Sequence, residues 1–385
     1  MRNKIQEHKA TYERGMVIVS CVMAFVILMN FYLSLSIVEE PNSYYRLFDA
    51  VIAVACFVLV CRTRQDSKNT QKYLILILGF WVFSVFSGLL NGAASIFRSV
   101  LLFDMIFNGC FAYIMVTKRV ALFPIKVAFL IISLYFAYTL FIEGLETTEI
   151  FTYSAGGMIG TTLLSLAIAI QYLEYRENNR IPILPSVITL LLSTFSYSRA
   201  SIVCALVYFL VVLFFSTRNI NNRFFRYIPF IIIVGAIAYF LVKNWELIET
   251  LDMYEKFERK GVETDGRGDI WSAYIGSLDI GSFIFGKTLD QTHMIMGHDN
   301  PHNIIIRLHS QFGILAFMFY YKIILAFIRL LRKNPFISFL LFAMVLRGMF
   351  DIAYFFGDFD YIILAIIFEK QLKREKIAPL KLAII

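Results

Sequence analysis

Hydrophobic residues fall along the chain in long blocks separated by short polar or basic stretches. Apolar runs occupy about 16–38, 47–61, 73–90, 97–116, 122–142, 156–173, 181–195, 199–215, 227–242, 303–328, 335–349 and 352–368. A transmembrane helix needs roughly 20 apolar residues, so each run is a candidate span, although several fall short of the full hydrocarbon thickness. The runs at 181–195 and 199–215 also read as one broken hairpin. The pattern predicts an all-α polytopic integral membrane protein of about twelve transmembrane helices, forming a single transmembrane domain over residues 1–385. A charged N-terminal tail precedes the first run with no small-residue cleavage pattern, which reads as a first membrane helix and not as a signal peptide.

Charge sets the orientation. Short cytoplasmic loops collect Lys and Arg, and short outer loops do not. With the N-terminal tail inside, the segments 1–15, 62–72, 117–126, 174–180, 216–227, 329–334 and 369 onward hold 24 basic residues, whereas the short loops opposite hold only Arg46, Arg98, Arg199 and Arg347. One span wrongly inserted or missed midway would destroy that split, so both termini are expected in the cytoplasm. The net charge of +8 is then a topology signal and not a nucleic-acid surface. Composition agrees: 17% charged residues and a mean hydropathy of +0.69 lie far from the roughly 25% charge of soluble domains. The five cysteines sit in or beside apolar runs and form neither a disulfide framework nor a CxxC motif.

One loop stands apart. Residues 243–301, between spans nine and ten, are placed outside and carry 6 basic against 11 acidic residues. Loops this long in a compact protein usually serve function. The stretches 245–259 and 270–280 have apolar residues at helical spacing, which predicts amphipathic pieces, the first of them interfacial.

The outward polar residues carry the candidate chemistry. Charges at membrane depth are costly and mark functional sites by default. Phe195-Ser-Tyr-Ser-Arg-Ala-Ser201 opens span eight. Arg199 there could snorkel to the interface, or its planar paired donors could meet phosphate oxygens within a hydroxyl-rich pocket. Gly297-His-Asp-Asn-Pro-His-Asn303 opens span ten; Asn300 as N-cap and Pro301 as first helical residue would set His302 at a helix N-terminus. The positive helix end would keep that imidazole neutral and able to take a proton, while favouring an anion nearby. His298 and His302 at i and i+4 could bind zinc on a continuous helix, but Pro301 breaks it, so a metal ranks below the base. Arg267 sits in a Gly-flanked turn, either paired with Asp265 or Asp269 or poised over the cavity mouth. Arg98, Arg307, His309, Arg347 and Asp351 are supporting candidates; His309 reads equally as a packed polar residue, and Arg347 with Asp351 as an i,i+4 pair. Asp104 is placed to pair with one of these arginines.

In order, spacing and sidedness, Ser198-Arg199, then Gly266-Arg267-Gly-Asp-Ile-Trp271 in the outer loop, then His302-Asn303 with Gly313 downstream, resemble the O-antigen polymerase and O-antigen ligase superfamily. The likeness covers the general topology and, in motifs, about 196–320. It implies a C-type glycosyltransferase fold and a metal-independent enzyme without cofactor in the bacterial inner membrane, its site facing the periplasm or exterior. The donor would be an undecaprenyl-diphosphate-linked glycan, with Arg199 and Arg267 at the diphosphate and His302 activating the acceptor. Polymerase is preferred over ligase; a chain-length regulator and a flippase are the implied partners. A flippase or transporter of the same lipid-linked unit is the alternative from another class.

Overall fold

The computed structural model of the chain describes residues 2–36, 43–61, 64–90, 95–118, 120–145, 147–151, 157–196, 198–217, 231, 235, 267–287, 303–350, 354 and 359–369. Among these there are helices and turns and no strand. The helices are α1 (Arg2–Ser36), α2 (Ser43–Val60), α3 (Arg64–Leu90), α4 (Ser95–Thr117), α5 (Leu122–Phe141), α6 (Thr147–Ile150), α7 (Gly157–Asn178), α8 (Leu184–Thr194) and α9 (Arg199–Ser216), followed by α10 (Arg267–Gly276), α11 (Ile280–Phe285), α12 (Ile304–Phe312), α13 (Ala316–Lys333), α14 (Pro335–Phe350) and α15 (Asp360–Phe368). Most of the run at 227–242, the piece at 245–259, and His293, His298, His302 and Asp351 lie outside the described residues.

Among the described residues, five segments are long and apolar enough to cross a membrane by length and composition: Glu13–Leu35, Leu122–Phe141, Gly157–Asn178, Arg199–Ser216 and Ile304–Lys333. Their outward faces are apolar as well, with Leu134 60% and Tyr32 59% exposed. Water would penalise such a surface and lipid does not, so the protein is an all-helical, membrane-embedded one. α7 is its centre, buried continuously from Ile159 to Glu174.

Local chemistry explains the ends. Asn179 takes the left-handed conformation (φ 52°) and closes α7, with the Arg180 N–H donating to Glu174 O at 3.3 Å. Asn334, ahead of Pro335, leaves the helical region and joins α13 to α14, with Pro335 as first residue of the new helix. Arg332 and Lys333 stand at the negative end of α13.

The basic residues sort to one face as the charge count requires. Arg176 donates to Met115 O and Val116 O at the end of α4 and pairs with Glu369 at 3.2 Å. Arg329 donates to Ile367 O at 3.1 Å, and Lys126 pairs with Glu174. The C-terminal ends of α4, α7, α13 and α15 therefore share a face with the start of α5. Asp104, nine residues into α4, pairs with Arg46 at 3.3 Å, toward the opposite face.

One expected span is discontinuous. The run at 303–328 breaks at Gly313–Leu315, a single 3₁₀ turn. A straight helix would set Ile305 and Tyr320 about 22 Å apart along its axis, yet the Tyr320 hydroxyl donates to Ile305 O at 2.6 Å. The chain doubles back, and α12–α13 is a helical hairpin. Gly313 sits at its tip with φ +48°, and a Cβ there would lie 2.0 Å from Ile284 O, so only glycine fits. Within the run at 352–368 the described helix is α15, whose nine residues span about 13 Å. Its start is capped from the middle of α4, where Asn108 Oδ1 accepts from the Tyr361 N–H at 2.8 Å.

Candidate functional site

Three helix N-termini converge on one buried arginine. Arg347, in the last turn of α14, is 1% exposed and donates through Nη2 to Gly157 O at 3.2 Å, the first residue of α7. A Cβ on Gly157 would lie 3.2 Å from Arg347 Nη2 and 3.2 Å from Ser198 Oγ, so the guanidinium and that hydroxyl flank the same backbone. Ser198 is the N-cap of α9, with extended backbone. Its Oγ accepts from Ser201 Oγ at 3.1 Å, and Ser201 also lies 3.2 Å from Gly157 O. Next to Arg347, Gly348 lies against Ile304, the first residue of α12.

The approach of α7 to α9 depends on Gly160, whose Cβ would fall 2.3 Å from Ser201 Cβ. Small residues at such crossings let backbones meet in lipid. The serines of the Phe195–Ser201 motif thus pack into the glycine face of α7. Arg199 itself is the first residue of α9 and half-buried. The starts of α7, α9 and α12 bring the positive ends of three helix dipoles to the neighbourhood of Arg347, an arrangement that favours an anion.

The structure moves one expected cap. The helix after the His-Asn motif starts at Ile304, and its cap is Asn303, whose Oδ1 accepts from Ile305 N–H at 2.8 Å. Asn303 is extended (φ −154°, ψ 122°), so Asn300 and Pro301 do not open this helix. The Asn side chain that reaches the second helical N–H wins over the proline signal. Asn303 is 4% exposed, and the residue after it, Ile304, lies against Gly348, the neighbour of Arg347. His302 and Asp351 lie outside the described residues, as do the side chains of Arg98, in the first turn of α4, and Arg267, the first residue of α10. Arg307 is half-buried one turn into α12. No group of three or more His, Cys, Asp or Glu placed to hold a metal occurs among the described residues.

His309 belongs to a second cluster. Its Nε2 lies 3.0 Å from Phe283 O and its Nδ1 2.8 Å from the Tyr274 hydroxyl. A carbonyl only accepts, so Nε2 carries the proton and Nδ1 accepts from Tyr274. Burial raises the Tyr274 hydroxyl above the ordinary tyrosine range, consistent with that donor role. His309 therefore ties α12 to α10 and α11 as a packed polar residue. Tyr274→Phe is expected to leave a buried acceptor unmet and destabilise the protein by about 1–2 kcal/mol. His309→Phe added to it should restore part of the loss, read as unfolding midpoints in detergent; strictly additive losses would argue against this pairing.

Neither Tyr274 nor the Gly157–Gly160 face was flagged from sequence. The latter has a readable signal, two glycines three apart opening an apolar run. Comparison with protein families finds none that matches the chain, and comparison with curated proteins finds none either.

Proposed function

We propose that the protein transfers glycan from an undecaprenyl-diphosphate carrier, polymerising lipid-linked repeat units into an O-antigen or capsular-type polysaccharide on the outer face of the bacterial inner membrane. The observation that supports this best is the meeting of the α7 and α9 N-termini at Arg347, with the start of α12 against Gly348 next to it, an arrangement that favours an anion. Diphosphate is a good leaving group, so donors preorganised around its growing charge would serve without a metal. In this reading Arg199 and Arg267 hold the diphosphate. His302 takes the proton of the acceptor hydroxyl as that oxygen bonds to the anomeric carbon and the bond to the diphosphate breaks. The resemblance in motifs supports the carrier and the roles, and twelve spans with both ends in the cytoplasm fit the distribution of basic residues. The same motifs would serve a ligase, in which lipid A-core replaces the second lipid-linked unit as acceptor.

A second reading has its own support. A discontinuous helix such as the α12–α13 hairpin also lines the sites of transporters, so a flippase of the lipid-linked unit stays under test. His302→Ala is expected to insert normally and to cut chain extension by roughly 10²–10⁴-fold, while single repeat units still reach the outer surface. Surface labelling of glycan length checks it. Normal polymer length in that variant would sink the base assignment, and single units trapped inside would favour the transporter.

A further inference from the structure

Helices α10 and α11 form a strap held against α3 and α12. Ser87 of α3 donates to Phe285 O, His309 holds Phe283 O, and Lys287 Nζ reaches Ser277 O at 3.1 Å, drawing the far end of α11 back to the turn after α10. The Phe285 ring meets Phe83 at 6.0 Å and Phe86 at 5.5 Å.

With the inner side so fixed, the other side cannot turn inward. Ile280 is 82% and Ile275 64% exposed, and Phe283 is 44% exposed although its carbonyl is held. None of the six residues of α11 is buried. This apolar side runs without interruption into the outward face of α3, where Phe86 is 50% and Leu89 73% exposed, and toward Ile314 at the hairpin tip. The outward face of α3 is apolar over Leu78–Leu90, so the strap extends a surface suited to lipid. Its polar groups lie at one edge: Asp279 caps α11 from a fully exposed position, and the Ser282 N–H holds its carboxyl below the usual carboxylate range.

We infer that the α10–α11 strap is seated in a lipid leaflet, with Ile275, Ile280 and Phe283 against acyl chains and Asp279 among the headgroups. The inference rests on the membrane fold and not on the proposed transfer reaction. It makes residues 267–287 of the large loop a part of the membrane boundary.

The test uses the full chain with its five native cysteines replaced and single cysteines introduced as Ile280→Cys, Ile275→Cys, Leu89→Cys and Asp269→Cys, each labelled with bimane and reconstituted in phosphatidylcholine–phosphatidylglycerol vesicles. Labels at 280 and 275 are expected to emit to the blue of the label at 269, to be quenched by doxyl-bearing lipid as strongly as the label at 89, and to be shielded from aqueous iodide. Iodide quenching at 280 and 275 equal to that at 269 overturns the inference. So does protection from both quenchers, which would mean that protein, from this chain or another, covers the strap. Position 275 keeps the test open if the variant at 280 fails to fold.

Discussion

Gly160→Leu is expected to abolish accumulation of the folded protein. The Cβ alone would fall 2.3 Å from Ser201 Cβ and 2.5 Å from Ser201 Oγ, at the crossing where α7 meets α9. Neither partner is the mobile tip of a long side chain, so the two helices must separate. Leucine adds three carbons beyond that clash, and overpacking of this kind costs about 3 kcal/mol or more. Separation also breaks the contacts of Ser201 with Gly157 O and Ser198. Yield and unfolding midpoint in detergent read the effect directly; Gly160→Ala should fall between the two. A leucine variant as stable as the parent would mean that α7 and α9 do not touch here.

Arg347→Met is expected to cost stability and transfer together. The side chain is large and buried, and its bond to Gly157 O is charge-assisted, a class worth about 2 kcal/mol. Methionine fills much of the volume and removes only the donors and the charge. If the three helix ends around Arg347 receive a diphosphate, the same change should lower glycan transfer by roughly 10²-fold or more. Arg347→Lys keeps the charge but not the planar fork, so it should recover stability better than activity. Transfer recovering fully in the lysine variant would reduce Arg347 to a structural cation.

Much of this was legible in the chain. Apolar runs located most of the described helices because lipid demands continuous hydrophobicity, and the split of basic residues foresaw the face on which Arg176, Arg329 and Lys126 cluster. What stayed hidden depends on contacts between distant segments. Hydropathy cannot tell a straight span from the α12–α13 hairpin, because Gly313 breaks the helix only through its positive φ and the backbone of Ile284 pressed against it. Nor does it show how α15 is capped at its start, since the acceptor for the Tyr361 N–H is Asn108, more than 250 positions earlier. Helical spacing does not announce the contact of Arg347 with Gly157, which links residues 190 apart in sequence. Asn303 took the capping role over Asn300 because its side chain reaches the Ile305 N–H. His309 shows the limit of residue-type arguments: both ring nitrogens are occupied by Tyr274 and Phe283, which no local pattern announces.

The joint at Arg176 has a consequence for the order in which the molecule is made. Its guanidinium meets Met115 O and Val116 O, which emerge from the ribosome before it, and Glu369, which emerges almost two hundred residues after it. The early helices can enter the bilayer one by one, but this corner stays open until the last helix arrives. Final assembly is therefore a late closing step between elements far apart in sequence, of the kind that loop-closure entropy makes slow. Nascent chains halted before Glu369 should keep an accessible cleft between the ends of α4 and α7, and release of the finished chain should seal it.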